Sequence, residues 1–240
     1  MIGMIAEKLG KAFRMIQSDV VRWIISRAYI KGRGLEIGGL HHPLPLSGKA
    51  SVRYVDRLSV DELRKQYPEL NGKPLVPVDI IDNGETLSSQ ADKTQDFVIA
   101  NHFLEHTENP ILAVINMLRV LKPGGILYAA IPDKRFTFDR DRPITSLDHL
   151  IKDYKNGPSW SNRAHYEEFQ RSMSNIEDEA EFAIRTDALM KMNYSIHFHV
   201  WTQKQMFELF AYVSDIVAGD FEYQLVIKNL DEVIFVIRRK

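Results

Sequence analysis

The chain has 240 residues, 45% hydrophobic and 26% charged, with a formal net charge of -1. This length fits one globular domain with an insertion, and the balanced charge provides no overall attraction to nucleic acid. Because the chain contains no cysteine, disulfides, thiolate nucleophiles and cysteine-bound zinc are excluded. The first residues mix charged with apolar side chains, and no stretch reaches the roughly 18 apolar residues of a membrane span. We therefore expect a cytoplasmic location.

The first predicted element is an amphipathic helix over residues 1–31. Apolar side chains, among them Ile5, Leu9 and Phe13, recur at steps of three and four, and basic residues lie between them. This pattern is typical of a helix that packs on a domain. A weak contact with a membrane surface is the alternative. We assign residues 1–33 to this helical segment and residues 34–240 to the main domain.

Five short apolar segments then alternate with predicted helices, at residues 34–38, 52–56, 77–82, 96–101 and 126–131. A capping box from Ser59 to Glu62 predicts a helix after the second segment. Asn109 and Pro110 predict the start of another helix, which ends near Leu121. Apolar strands that alternate with helices indicate a parallel sheet with helices on both faces.

Residues 133–196 are polar, charged and without any strand pattern, so we predict an irregular insertion that forms a mobile lid. Thr202 and Gln205 predict a capping box for a helix that runs to about Val213. The last two segments, 221–228 and 232–239, predict an antiparallel hairpin. The predicted fold is therefore α/β, with a seven-stranded, mostly parallel sheet and an antiparallel last strand.

Three motifs in this order resemble those of class I S-adenosylmethionine-dependent methyltransferases, which have this fold. They are GLEIGG at Gly34–Gly39, DFVIANHFLEH at Asp96–His106 and LRVLKPGGILYAAIP at Leu118–Pro132. The first motif departs from the family pattern, because Leu40 and His42 replace two further glycines. The resemblance implies methyl transfer from S-adenosyl-L-methionine to a small acceptor.

Four residues are candidates for contacts with the methionine and ribose parts of the cofactor. Gly38 and Gly39 allow the backbone to approach its methionine and ribose parts. The resemblance implies that Glu36 reaches the ammonium group, directly or through water. Asp56 ends the second strand, where a carboxylate can accept hydrogen bonds from both ribose hydroxyls. An ion pair with a neighbouring arginine is the alternative role of Asp56.

The adenine amine needs an acceptor at the end of the third strand. Asp82 and Asn83 lie where the family places this group, and Asp79 is the competing candidate. Asn101, at the end of the fourth strand, is expected to face the central part of the cofactor.

The catalytic candidates are His197, His199 and His102. In an extended chain His197, His199 and Trp201 share one face, which predicts a wall of an acceptor pocket. A histidine there can remove the proton of an acceptor hydroxyl near neutral pH. His102, after the fourth strand, is the second candidate base.

The charged residues 133–142 follow the fifth strand. Their mixed charges suit the binding of a hydroxyl-rich or phosphorylated acceptor. A surface ion-pair network is the alternative. We assign no metal ligand, although Asp133 with one or both wall histidines is a possible set. The segment 131–154 and HFHVWT at His197–Thr202 resemble methyltransferases of bacterial surface polysaccharide synthesis, which implies a sugar hydroxyl as acceptor.

Three rival functions share some of these features. A nicotinamide-dependent oxidoreductase has a similar glycine turn, but the missing glycines and the final hairpin argue against it. A nucleic-acid methyltransferase is disfavoured because the fourth strand ends in Asn-His-Phe and no basic face is evident. A scaffold that binds the cofactor without catalysis is the third.

Overall fold

The structure, a computed structural model, describes residues 17–240, which contain one seven-stranded sheet. The strands are β1 (Gly32–Ile37), β2 (Ala50–Asp56), β3 (Ile80–Ile81), β4 (Gln95–Asn101), β5 (Leu121–Pro132), β6 (Phe221–Asn229) and β7 (Glu232–Arg239). They lie in the order β3-β2-β1-β4-β5-β7-β6. The first five are parallel, and β7 is antiparallel to both β5 and β6. The predicted sheet and its antiparallel hairpin are confirmed.

Seven helices accompany the sheet in this part of the chain. They are α1 (17–29), α2 (Val60–Gln66), α3 (Pro110–Val120), α4 (Leu147–Asn156), α5 (Asn162–Met173), α6 (Glu179–Lys191) and α7 (Gln203–Ile216). The capping box at Ser59 and Glu62 is present. Asn109 caps α3 by accepting a hydrogen bond from the Leu112 amide. Of the predicted N-terminal helix, residues 1–16 lie outside the described residues.

The core consists of two apolar layers, one on each face of the sheet. Leu35 and Val98 face one layer, to which α3 and α7 contribute Met117 and Phe210. The other layer contains β-strand residues such as Tyr128, covered by α1 and the loop after β1. No helix in residues 17–240 is long and apolar enough to cross a membrane.

Three sequence expectations are wrong in detail. The insertion at 133–196 is not irregular, because it contains α4, α5 and α6, each of which buries apolar residues on one side. In α4, Leu147, Leu150, Ile151 and Tyr154 do recur at steps of three and four, and the high charge of the segment obscured this pattern. The third strand is shorter than predicted and consists of Ile80 and Ile81, although the amides of Asp79 and Asp82 also donate hydrogen bonds to carbonyl oxygens of β2. Thr202 precedes α7, but its hydroxyl binds the Gln205 side chain, and no side-chain cap forms.

Candidate functional site

The candidate site lies where the strand order of the sheet reverses, between β1 and β4. The chain leaves β1 towards β2 and leaves β4 towards β5, so their carboxyl ends open a crevice that binds ligands in open α/β sheets. A cavity of about 610 Å³ lies at these ends, a volume typical of small-molecule sites. Its wall includes Gly38, Asp56, Asn83, His102, His106 and Phe198.

The glycine pair after β1 has two separate structural reasons. Gly38 adopts a φ of +65°, which favours glycine. A Cβ added to Gly38 would meet nothing nearer than the Phe103 ring at 4.0 Å, so the space in front of this backbone is open. A Cβ on Gly39 would lie 2.9 Å from the Tyr54 ring. Gly38 therefore allows close approach of a ligand, whereas Gly39 allows the loop to pack on β2.

Glu36 fixes the loop that replaces the usual glycine-rich turn. One carboxylate oxygen, Oε1, accepts a hydrogen bond from the Leu44 amide at 2.8 Å. The other, Oε2, is buried and has no partner among residues 17–240. Burial raises the pKa of Glu36 to about 7, against the effect of that amide. Glu36 is fully buried and is not part of the cavity wall, so it lies behind this loop.

The three candidates near β3 lie in different surroundings. Asn83 lines the cavity. The Asp82 carboxylate accepts hydrogen bonds from Ser88, Ser89 and the Asn83 amide, and these outweigh burial and lower its pKa. Asp79 accepts a hydrogen bond from the Tyr54 amide and is not part of the cavity wall. Asp82 thus orders the loop that presents Asn83.

Asp56 lines the same wall at the end of β2. Burial raises its pKa above the ordinary value, although the amides of Arg57 and Leu58 donate hydrogen bonds to it. Its carboxylate forms no salt bridge within the described chain. The guanidinium of Arg57 instead donates a hydrogen bond to the Tyr67 hydroxyl at 3.2 Å.

His102 reaches the cavity from the end of β4 and is held by a buried carboxylate. Its φ is +45°, a conformation uncommon outside glycine and frequent at functional sites. Its Nε2 lies 2.8 Å from Glu232, which also accepts from Arg22 at 2.9 Å. Burial alone would lower the pKa of His102, but Glu232 and Glu105 outweigh it and raise the pKa.

Three possible metal ligands, Glu105, His106 and His197, lie next to His102. Their ligand atoms lie within 4.8 Å of one another. Neither oxygen of Glu105 has a hydrogen-bond partner within residues 17–240, and burial raises its pKa. Burial and the nearby His197 lower the pKa of His106 to about 3. His197 Nδ1 lies 2.6 Å from Asp139. Only His106 of this group lines the cavity.

The histidine wall has a different orientation from the predicted one. Phe198 lines the cavity, and neither His197 nor His199 does. His199 and Trp201 are stacked on each other and fully buried. His199 belongs to a second group that could hold an ion, with His149, Asp153 and His165. Sequence alternation placed these side chains on the same side but could not identify which side faces the cavity.

The charged run forms an ion-pair network. Arg142 is buried and binds Asp139 and Glu168, each at 2.7 Å. Asp133 binds Arg135 and belongs to neither group of possible metal ligands. None of the residues 133–142 lines the cavity.

Asn101 ends β4, and its side chain lies close enough to Glu36 to lower the pKa of that carboxyl, although it makes no hydrogen bond of good geometry among the described residues. It does not line the cavity itself.

Sequence reasoning missed Glu232 as a residue of the site. A single carboxylate in the apolar strand EVIFVI was the signal, because a charge in such a strand needs a buried partner.

Residues 46–129, about a third of the chain, match the family model described as a methyltransferase domain. No curated protein matches the chain. A similar solved structure is the 1,6-didemethyltoxoflavin-N1-methyltransferase of Burkholderia thailandensis, with bound 1,6-didemethyltoxoflavin and S-adenosylhomocysteine. It is 12% identical with a TM-score of 0.50, and the alignment covers 93% of this chain and 78% of that one.

A second solved structure is a SAM-dependent methyltransferase from Methanosarcina mazei. It is 17% identical with a TM-score of 0.47, and the alignment covers 88% of this chain and 95% of that one. At these identities the structural likeness concerns the fold. The matched domain, the fold and the open backbone at Gly38 together support a methyltransferase with S-adenosyl-L-methionine as its cofactor.

Proposed function

We propose that this protein transfers a methyl group from S-adenosyl-L-methionine to a hydroxyl of a small acceptor, a sugar or glycan precursor. The observation that carries the proposal is one cavity at the reversal of strand order. Gly38, Asp56 and Asn83 form one part of its wall, and the carboxylate-held His102 forms another. The first three match the needs of the cofactor, and the last matches the need for a base.

We assign the cofactor contacts residue by residue. Gly38 admits the methionine and ribose parts, and Glu36 reaches the ammonium group directly or through a water molecule. Asp56 accepts from the ribose hydroxyls. Asn83 meets the adenine, with Asp82 ordering its loop, while Gly39 and Asn101 shape the site from behind. The bound cofactor supplies an electrophilic methyl group on a sulfonium.

The protein's part in the reaction is alignment and removal of one proton. A hydroxyl becomes a good nucleophile as its proton leaves, and a positioned histidine accepts such a proton. Nε2 of His102 is bound to Glu232, whereas Nδ1 lies 3.7 Å from the Glu105 carboxylate, beyond hydrogen-bond distance. Nδ1 is therefore the nitrogen that we assign to the acceptor. We therefore propose His102 as the base. His197 acts indirectly, through its contact with His106, since the centroids of the two rings are 4.6 Å apart. His199 belongs to the separate group with His149, Asp153 and His165.

The acceptor side of the cavity includes aromatic and polar groups from the insertion. Tyr194 and Ser195 lie on its wall with Phe198 and with Tyr67 of the loop after α2. Aromatic faces beside hydroxyl groups suit a sugar, which has apolar faces and a polar edge. Arg57 is the guanidinium on this wall and would bind a phosphate if the sugar carries one.

The domain boundaries, the cytoplasmic location and the motion of the insertion stay predictions. Contact of the N-terminal helix with a membrane surface also stays one. Val20, Trp23 and Ile24 are exposed on α1, and the first 16 residues lie outside the described part.

Titration calorimetry tests the cofactor directly. We expect heat on addition of S-adenosyl-L-methionine and of S-adenosylhomocysteine, and none with NAD. Mass spectrometry of the denatured protein identifies any copurified molecule. Binding of NAD without binding of S-adenosyl-L-methionine would establish the oxidoreductase alternative. Cofactor binding without methyl transfer to any acceptor in a broad panel would indicate a scaffold.

Asp56→Ala is expected to weaken binding of S-adenosyl-L-methionine by about 1.5–3 kcal/mol, because hydrogen bonds to a charged acceptor are lost. Calorimetry measures the dissociation constant. Asp61→Ala is the matched control, since Asp61 is an exposed carboxylate in the first turn of α2. Equal affinities of the two variants would remove Asp56 from the cofactor site.

A further inference from the structure

Four potential metal ligands converge outside the cavity, where α4 and α5 of the insertion meet the segment before α7. His149 and Asp153 lie one turn apart on α4, His165 lies on α5, and His199 lies in the segment before α7. One ligand atom from each lies within 4.8 Å of all the others. Asp153, His165 and His199 are buried, and His149 closes the outer side with its side chain 24% exposed.

The distances in this group resemble those around a tetrahedral ion. Ligands at about 2.0–2.1 Å from a tetrahedral zinc lie about 3.3 Å from one another. Nε2 of His149 lies 3.0 Å from Nε2 of His165 and 3.2 Å from Oδ2 of Asp153. Nε2 of His199 lies 3.8 Å from the same carboxylate oxygen. These three distances lie within about 0.5 Å of the tetrahedral value, and all four ligand atoms lie within 4.8 Å of one another.

Hydrogen bonding within the group leaves buried polar atoms without partners. Two imidazole nitrogens at 3.0 Å can share only one proton. Oδ2 of Asp153 and Nδ1 of His199 have no hydrogen-bond partner within residues 17–240, although both side chains are fully buried. Buried polar groups without partners are rare and each needs an explanation, of which an ion is one.

The surroundings orient these side chains as outer groups orient metal ligands. The second oxygen of Asp153 accepts a hydrogen bond from the Ser161 hydroxyl at 3.0 Å. Nε2 of His199 lies between the Glu108 carbonyl oxygen, at 3.4 Å, and Oδ2 of Asp153, at 3.8 Å, so it would exchange the carbonyl for the ion on binding. The His199 ring stacks on Trp201 at a centroid distance of 5.8 Å. The side chains are therefore held in place without the ion.

We propose that His149, Asp153, His165 and His199 bind one zinc ion in a closed structural site. Three imidazoles and one carboxylate are donors that zinc accepts, and four protein ligands complete a tetrahedron. None of the four lines the cavity, so the ion does not contact the acceptor. It joins α4 and α5 to the segment that carries Phe198, and so fixes this part of the cavity wall.

Metal analysis of the full chain without an affinity tag is the first test. We expect one zinc per chain after growth with zinc, and one-to-one binding of Zn²⁺ to the chelator-treated protein by calorimetry. Zinc should raise the Tm, because an ion that binds only the native state stabilises it. Co²⁺ in place of zinc should give the visible absorption of a four-coordinate site.

Variants locate the ion. His165→Ala and His199→Ala should lose the zinc, while His197→Ala should keep one zinc per chain, since His197 belongs to the neighbouring group. His149→Ala removes the most exposed ligand and guards against variants that fail to fold. We expect it to stay folded by circular dichroism and to bind zinc roughly 100-fold more weakly or worse.

Three results would overturn the proposal. One is the absence of zinc binding by the chelator-treated wild-type protein. Another is retention of full zinc content by folded His149→Ala, together with its loss from His197→Ala. The third is an ion other than zinc, bound at one per chain, in the protein purified after growth with zinc. Each result is independent of methyl transfer, since none requires an acceptor.

Discussion

His102→Ala is expected to lower the rate of methyl transfer by about 10²–10⁴-fold, with little change in affinity for S-adenosyl-L-methionine. The structural reason is that His102 lines the cavity and is the imidazole whose Nε2 binds the Glu232 carboxylate at 2.8 Å. A carboxylate on one nitrogen directs the other to the acceptor and stabilises the protonated ring. The rate is S-adenosylhomocysteine release with the best acceptor from a panel of monosaccharides, sugar phosphates and nucleotide sugars.

The pH profile gives a separate test of this base. Since the carboxylates raise the pKa of His102 above 6.5, its neutral form accumulates only at higher pH. The wild-type rate should therefore increase with pH through an inflection above 6.5, and His102→Ala should lose that inflection. His197→Ala and His199→Ala are the comparison variants. If both lose activity by 10²-fold or more while His102→Ala retains it, the base lies in the segment before α7.

Glu232→Gln is expected to lower the free energy of unfolding by about 3–5 kcal/mol, as measured by denaturant titration. The side chains of Arg22 and Glu232 are only 7% and 1% exposed. Loss of the carboxylate charge leaves a buried guanidinium without its counterion, and this cost exceeds that of any surface pair. Glu222→Gln is the matched control on the same hairpin, because Glu222 is exposed on β6. It should change stability by less than about 0.5 kcal/mol.

In the wild-type protein, acid should remove the stability that the Glu232 carboxylate contributes. Burial alone would raise the pKa of Glu232, but His102 and Arg22 lower it from 4.5 to about 2. A lowered carboxylate pKa stabilises the folded state above the unfolded value, and this gain is lost as pH falls towards 2. The loss amounts to about 3 kcal/mol between pH 5 and 2, and Glu232→Gln should lack it. A variant with the wild-type acid profile would show that Glu232 is not the titrating group.

The amino-acid sequence by itself determined the order of the elements and the class of the fold. Apolar segments at 96–101 and 126–131, with caps at Ser59 and Asn109, are local signals, because strand period, turn residues and capping depend on neighbours within a few positions. The same holds for the hairpin at 221–239. Positions after the strands, such as Gly38 and Asn83, could be assigned to one edge because parallel strands end together.

Only the tertiary structure decided which side chains meet. His102 and Glu232 are 130 residues apart, and His149 and His199 are brought together by the packing of α4 and α5. Alternation predicted that His199 and Trp201 share a face, but the packing of α4 and α5 decides that this face is buried and that Phe198 faces the cavity. Long-range contacts of this kind follow from how whole elements pack, and no local pattern encodes them.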